Sequence, residues 1–162
     1  MPLVSSSRSR STDPMPPRRN KIFPTPEDAE TAFYEAFERR DLAAMMAVWA
    51  ESDEVTCVHP QGPRLLGFEA VRDSWMQIFA GASPLRVRTM DAQRFSGQSV
   101  AVHSLIEVLS TAGNPQGPSQ SVCATNVYEL TDAGWRMVIH HATPVPDAAP
   151  VEEPAQSSHT LH

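Results

Sequence analysis

The order of hydrophobic periods along the chain constrains the fold more than any single motif does. Between residues 27 and 80 apolar side chains recur at three- and four-residue spacing, which is typical of amphipathic helices. From residue 85 to residue 143 they alternate with polar side chains, which is typical of strands. Helices followed by consecutive strands, without a βαβ alternation, predict an α+β domain in which three helices pack on a curved antiparallel sheet.

The helical part divides into three segments. Thr25 is a capping residue before Pro26 at the first helical position, and a pair of arginines ends this segment. Asp41 is expected to cap a second, short helix. The third helix is predicted over residues 68–79.

Five extended segments are predicted, and the first of them ends at a histidine. A short one, Val55–His59, is stopped by Pro60 between the second and third helices, which suggests a titratable group at the wall of a helix-lined cavity. Four longer segments are predicted as strands: Leu85–Phe95, Val100–Leu109, Val122–Thr131 and Trp135–Thr143.

The two ends of the chain differ from its middle. Residues 1–24, rich in Ser, Pro and Arg, are interpreted as a disordered basic leader, and residues 145–162 as a disordered acidic tail. Residues 25–144 form the predicted domain, and translation could also start at Met15. Residues 27–143 contain eight basic and 15 acidic side chains, which argues against nucleic-acid binding.

Neither end of the chain shows an export signal, and no apolar run is long enough to cross a membrane. Cys57 and Cys123 are therefore expected to be reduced thiols in a cytoplasmic protein. No membrane partner is expected.

The chain resembles the NTF2-like superfamily, above all its SnoaL-like and ketosteroid-isomerase-like members. The resemblance covers residues 27–143 and rests on three groups of residues. They are Ala36-Phe37, Arg40-Asp41-Leu42 and Val48-Trp49; His59-Pro60, Gly62, Gly67, Val71-Arg72 and Trp75; and the closing segment from Trp135 to Ala142. It implies a cone-shaped fold that encloses a cavity, a scaffold that hosts enzymes, binding proteins and assembly domains.

The resemblance also assigns positions in the cavity. His59 stands where the isomerase has its carboxylate base, and Asn126 stands where it has a protonated acid. Phe33 replaces the tyrosine of the first helix, with Tyr34 adjacent, and Trp75 replaces a further tyrosine. A neutral imidazole can accept a proton near pH 7, and an amide can donate to an oxyanion.

The residues themselves leave two interpretations open for each candidate. His59 is either a general base or ligand contact, or a histidine that shapes the turn before Pro60. Asn126 binds a polar group in the cavity or satisfies a neighbouring side chain, because an unpaired buried amide is costly. Trp49 and Trp75 either pack in the core or line an apolar ligand site.

The strands supply further candidates. Strict alternation places Ile139 and His141 on one face of their strand and His140 on the other, and the resemblance implies that the face of Ile139 and His141 is the concave one. His103 and Glu107 share a face of their strand that either lines the cone or meets a second subunit. No metal-ligand spacing is present, and neither a metal nor a cofactor is expected.

Two functions follow as expectations. The first is a SnoaL-like protein that binds a small, largely apolar molecule, with possible isomerase, cyclase or hydratase chemistry and no cofactor. His59 and Asn126 would act on the ligand, and Phe33, Trp75, Ile139, His141 and Trp49 would contact it. The alternative is a non-catalytic assembly module, like the kinase association domains that share this scaffold. A homodimer is expected in both cases.

Overall fold

The computed structural model describes residues 21–146, except residues 82 and 115. The predictions for the leader, the tail and the start at Met15 therefore fall largely on residues 1–20 and 147–162, which lie outside the described residues. The elements follow in this order: α1 (Pro26–Arg39), α2 (Leu42–Val48), β1 (Thr56–Val58), β2 (Arg64–Leu66), α3 (Phe68–Ala80), β3 (Leu85–Ser96), β4 (Val100–Thr111), β5 (Ser119–Thr131) and β6 (Gly134–Pro144).

The helices begin and end where their capping residues predict. The hydroxyl of Thr25 accepts from the backbone N–H of Asp28, and the Asp28 carboxylate accepts from that of Thr25. Arg40, in the left-handed conformation with φ 55°, ends α1, and Asp41 caps α2. Within the described residues, no helix has the length and apolar composition needed to cross a bilayer.

The sheet has the strand order β2-β1-β6-β5-β4-β3. Strands β3 to β6 form the predicted antiparallel series. Strand β1 pairs with β6 in parallel, so the sheet is mixed rather than wholly antiparallel. Strand β2 was not predicted, because three residues are too few to show an alternation.

Two bulges curve the sheet around the helices. In β3 the register against β4 shifts between Met90 and Gln93, where Asp91 has φ 53°. In β6 Met137 pairs with Tyr128 of β5, and Ile139 pairs with Val127. Val138 lies between them and has no partner in β5. A bulge adds a residue to one strand and increases the local twist. Curvature of this kind leaves a concave inner face, which the helices cover.

The inner and outer faces of the sheet differ in burial. On β4 and β5 the buried residues alternate with half-exposed ones, as predicted for strands. The inner-face residues of these two strands are Ala101, His103, Leu105, Glu107, Val122, Ala124, Asn126 and Tyr128. Together with the helices they enclose a core whose large side chains include Phe33, Met45, Trp49, Trp75 and Met137.

The segment before α1 closes one end of this core. Phe23 is buried, and its carbonyl accepts the N–H of Trp135 at 2.9 Å. Phe23 thus packs with the domain although it precedes the Thr25 cap. Gly134 lies against Phe23 with φ 88°, and a Cβ there would stand 2.7 Å from the Phe23 oxygen.

Replacing Gly134 by alanine should therefore destabilise the fold by more than the strain of a left-handed backbone alone would. Gly113 is the matched control, because it has φ 84° and open space around the position of a Cβ. We expect Gly113→Ala to lose about 1 kcal/mol of unfolding free energy from backbone strain. Gly134→Ala should lose about 2 kcal/mol more, since the backbone of Phe23 must move. Equal losses in urea titrations would contradict this account of the contact.

A cavity with a buried polar chain

A cavity of about 250 Å³ lies between α1, α3 and the inner face of the sheet. This volume exceeds the roughly 150 Å³ that is sufficient to hold benzene. Most of its wall is apolar, and four lining side chains carry other polar groups besides the Trp75 indole: Tyr34, His59, Glu107 and His140. The apolar lining residues are Phe33, Phe37, Pro60, Trp75, Ile78, Leu85, Val87 and Leu109. The cavity thus combines a largely apolar wall with a small set of polar groups, as ligand sites usually do.

Three of the four polar residues belong to one hydrogen-bonded chain. Tyr34 donates its hydroxyl to Glu107 Oε1 at 2.7 Å. Asn126 donates its amide to the Tyr34 oxygen at 3.1 Å and accepts from His140 Nδ1 at 2.7 Å. The chain therefore runs from β6 through β5 and α1 to β4, and all four residues are buried or nearly so.

Burial of the Glu107 carboxyl gives this residue its chemical character. Loss of hydration raises the pKa of Glu107 to about 7, although the hydrogen bond from Tyr34 works in the opposite direction. Burial, followed by the charge of Glu107, raises the pKa of Tyr34 well above its usual range. Glu107 can therefore exchange a proton near neutral pH, whereas the Tyr34 hydroxyl stays protonated.

The two histidines of the cavity wall are neutral at the same pH. Burial lowers the pKa of His59 to about 4. Burial, together with the positive charges that His59 and His141 would carry, lowers the pKa of His140 to about 3. Because a base is most effective when its pKa lies near the working pH, Glu107 matches proton transfer at neutral pH better than either histidine.

His59 is held at the wall by α3. Its Nε2 lies 3.0 Å from the hydroxyl of Ser74, and its ring meets Trp75 edge-on at a centroid distance of 4.8 Å. The Cys57 sulfur lies 3.6 Å from the same nitrogen. Burial raises the pKa of the Cys57 thiol to about 12, so this sulfur is a poor nucleophile. His59 thus lies in the cavity wall and is hydrogen-bonded to a residue of α3.

Asn126 does not contact the cavity directly. Its side chain is fully buried and hydrogen-bonded at both ends. Of the two interpretations of this residue, the structure favours the one in which the amide satisfies neighbouring side chains. Asn126 thereby fixes the positions of Tyr34 and His140.

The bulge at Val138 reverses the predicted faces of β6. His140 is buried and lines the cavity, whereas Ile139 and His141 are exposed on the outer face. The prediction that Ile139 and His141 face the cavity was therefore wrong, as was the outward orientation of His140. Strict alternation fails here because the bulge shifts the order of the side chains by one residue.

Of the two tryptophans that were predicted to contact the ligand, one lines the cavity and the other does not. Trp75 and Phe33 line the cavity and pack edge-on at 5.5 Å. Trp49 is buried beside Met137 in the core and is not part of the wall. Trp49, which was predicted to contact the ligand, lies away from the cavity because its helix ends in a bridge to β6.

Glu107 and Tyr34 are the residues that the sequence did not assign to the site. From the sequence alone, the face of β4 that carries Glu107 could either line the cone or meet a second subunit. In the structure this face is the inner one, and Glu107 lines the cavity. Tyr34 was noticed only as a neighbour of Phe33. The signal that could have found Glu107 is the face it shares with His103, which the register of β4 against β5 places opposite Asn126.

A second polar cluster ties α1 to the sheet beyond the cavity. Glu30 accepts from His103 Nδ1 at 2.6 Å and from Arg94 at 2.8 Å. His103 is completely buried, so this carboxylate stabilises an otherwise unpaired polar group. Among the described residues no three His, Cys, Asp or Glu side chains converge in a way that could hold a metal ion.

Comparison with known proteins gives solved structures with the same fold. A protein from Thiobacillus denitrificans, provisionally designated a calcium/calmodulin-dependent protein kinase type II association domain, is 42% identical with a TM-score of 0.72, covering 77% of this chain and 98% of that one. A protein from Streptomyces avermitilis, provisionally designated a dehydratase of the NTF2-like family, is 33% identical with a TM-score of 0.65, covering 73% and 92%.

A plant protein shares the domain within a longer chain. The F-box protein SKIP8 of Arabidopsis thaliana is 27% identical over 113 residues, which are 70% of this chain and 46% of that protein. The chain thus spans less than half the length of this relative. Residues 27–147 match the SnoaL-like domain. The chain belongs to the SnoaL-like domain family and has the NTF2-like fold.

Proposed function

We propose that this protein binds a small, largely apolar molecule in the cavity and transfers a proton to or from it. The observation that carries the proposal is the Glu107 carboxyl in an otherwise mostly apolar wall, with a pKa of about 7 and a fixed hydrogen bond to Tyr34. Burying a carboxyl in a core costs free energy, and titratable groups with strongly shifted pKa values concentrate at functional sites.

The roles within the proposal follow from position and pKa. Glu107 is the general acid or base, and Tyr34 holds its carboxyl in place. His59 and His140 are the histidine contacts of the ligand, and Phe33 and Trp75 form its apolar wall. Asn126 is a positioning residue. The 33%-identical Streptomyces protein designated a dehydratase supports chemistry of the isomerase, cyclase or hydratase type.

Assembly is a second candidate function, and it rests on the outer face of the sheet. Cross-strand pairing aligns four apolar residues in one row across the sheet: Phe95, Val102, Val127 and Ile139. Phe95 is 71% exposed and Ile139 37% exposed. A contiguous exposed apolar row is typical of a surface that binds another protein. The 42%-identical relative designated an association domain supports an assembly function, for which we propose a homodimer through this face, with or without catalysis.

Glu107 should make stability depend on pH in a defined direction. Its pKa rises from 4.5 to about 7 on folding, so the folded state binds more protons than the unfolded state between these values. The contribution of Glu107 to the unfolding free energy is therefore greatest below pH 4.5. It falls by up to about 3 kcal/mol as pH rises to 7. Glu107→Gln removes this dependence.

The measurement is urea unfolding of the wild type and Glu107→Gln at several pH values from 4.5 to 8. The variant should gain stability relative to the wild type as pH increases. Glu129→Gln makes the same change of charge at an exposed position of β5 and shows how much of the trend comes from net charge alone. A difference between Glu107→Gln and the wild type that stays flat across the range would contradict the assignment.

Native mass spectrometry of the purified protein, before and after incubation with cell extract, tests ligand binding. We expect a small molecule bound at one copy per chain. Leu109→Trp fills the cavity from its wall and should abolish the bound mass, whereas Leu130→Trp, at an exposed position of the same sheet, should retain it. An empty wild-type protein that acquires nothing from the extract would refute binding and leave the assembly function.

Once a ligand is identified, Glu107→Gln should retain it but lower its turnover at least about 100-fold, the usual minimum for a general acid or base.

The assembly surface is tested by sedimentation. Ile139→Lys puts a charge in the apolar row and should convert the dimer to a monomer at micromolar concentration. Met76→Lys introduces the same charge at an exposed apolar position of α3 and should leave the dimer intact. A wild-type monomer, or a dimer unaffected by Ile139→Lys, would be evidence against this surface.

A further inference from the structure

The hydrogen-bonded chain beside the cavity has a fixed direction. The Asn126 oxygen that faces His140 can only accept, so His140 Nδ1 carries the proton of the neutral ring. The amide nitrogen of Asn126 then donates to Tyr34, and the Tyr34 hydroxyl donates to Glu107. Every donor in the chain points from β6 towards β4.

Both ends of this chain present lone pairs to the cavity. With its proton on Nδ1, His140 has a bare Nε2, and an ionised Glu107 has only acceptor oxygens. His140 Nε2 and Glu107 Oε2 have no hydrogen-bond partner among the described residues, yet neither is among the fully enclosed polar atoms. Because both residues line the cavity, these two atoms are open to a ligand.

The other polar groups of the wall supply no free donor. The Ser74 hydroxyl donates to the Val71 carbonyl at 2.7 Å, so it accepts from His59 Nε2 and leaves a lone pair on Nδ1. The Tyr34 proton is committed to Glu107. The indole N–H of Trp75 is enclosed and unpartnered within the described part of the chain, out of reach of the cavity.

We propose that the ligand of this cavity carries a hydrogen-bond donor, a hydroxyl or N–H group on an apolar frame, and that Glu107 and His140 accept from it. This inference rests on the proposed binding function and names the class of ligand. When Glu107 is ionised, a ligand that approached these atoms with a carbonyl or carboxylate oxygen would place lone pairs against lone pairs, and the desolvated atoms of the wall would remain unpaired.

The assignment contrasts with the oxyanion site that the family resemblance implies. That site requires donors, and the donors available here, on Tyr34 and Asn126, are already engaged with neighbouring side chains. A hydroxyl compound instead completes the chain at either end. Its O–H can then donate to the Glu107 carboxylate without rearrangement of the wall.

The test compares matched probes that differ only in their polar group. Naphthalene, 2-naphthalenemethanol, its methyl ether and 2-naphthaldehyde are titrated by calorimetry into the full chain at pH 8.5, where Glu107 is ionised. We expect the alcohol to bind at least tenfold more tightly than the ether and the aldehyde, a difference of about 1.4 kcal/mol. Equal affinities for the alcohol, the ether and naphthalene would overturn the inference while leaving apolar binding intact. Absence of binding by all four would refute the proposed function together with this inference.

Substitutions at two glutamates locate the preference in the cavity. Glu107→Gln offers an amide that can donate, so the ratio of alcohol to aldehyde affinity should fall at least fivefold. Glu129→Gln, with the same change of charge on the exposed end of β5, should leave that ratio unchanged. A ratio that is the same in Glu107→Gln and the wild type would overturn the role of Glu107 as the acceptor.

Discussion

The hydrogen-bonded chain from His140 through Asn126 and Tyr34 to Glu107 is the interaction on which the site depends. It connects one helix with three neighbouring strands, and every member has its partner inside the protein. Loss of one member would leave a buried donor or acceptor unpaired, at a typical cost of about 1–3 kcal/mol. The bulge at Val138 makes the chain possible, because only the shift of register turns His140 inward.

Desolvation then divides the chemistry among the polar groups of the cavity. The same burial that raises the pKa of the Glu107 carboxyl lowers the pKa values of both histidines, since it disfavours the charged form in each case. The result is one group that titrates near neutral pH and two that stay neutral. In the proposed function Glu107 is therefore the acid or base, whereas the family resemblance places His59 at the position of the base.

The sequence was informative wherever local chemistry decides the structure. The Thr25 and Asp41 caps, the third helix and the four long strands all appear close to their predicted bounds, because caps and side-chain periodicity depend on neighbouring residues. Strand β2 and the parallel pairing of β1 with β6 depend on contacts between distant segments. The inner position of Glu107 also depends on such contacts. Alternation shows which residues of β4 share a face, but it does not show which face is turned towards the helices.

The faces of β6 show why the site was harder to predict than the fold. An alternating pattern specifies which residues share a face only while the register is unbroken, and one unpaired residue inverts every assignment beyond it. Met137 and His140 consequently share the buried side, while Ile139 joins Val127 and Phe95 on the apolar outer row. A single bulge thus serves both proposed functions, since it supplies the cavity with an acceptor and the outer face with an apolar residue. Deletion of Val138 would remove the bulge but keep the pairing of Met137 with Tyr128 and of Ile139 with Val127, so His140 is expected to stay inward and Ile139 outward in such a variant.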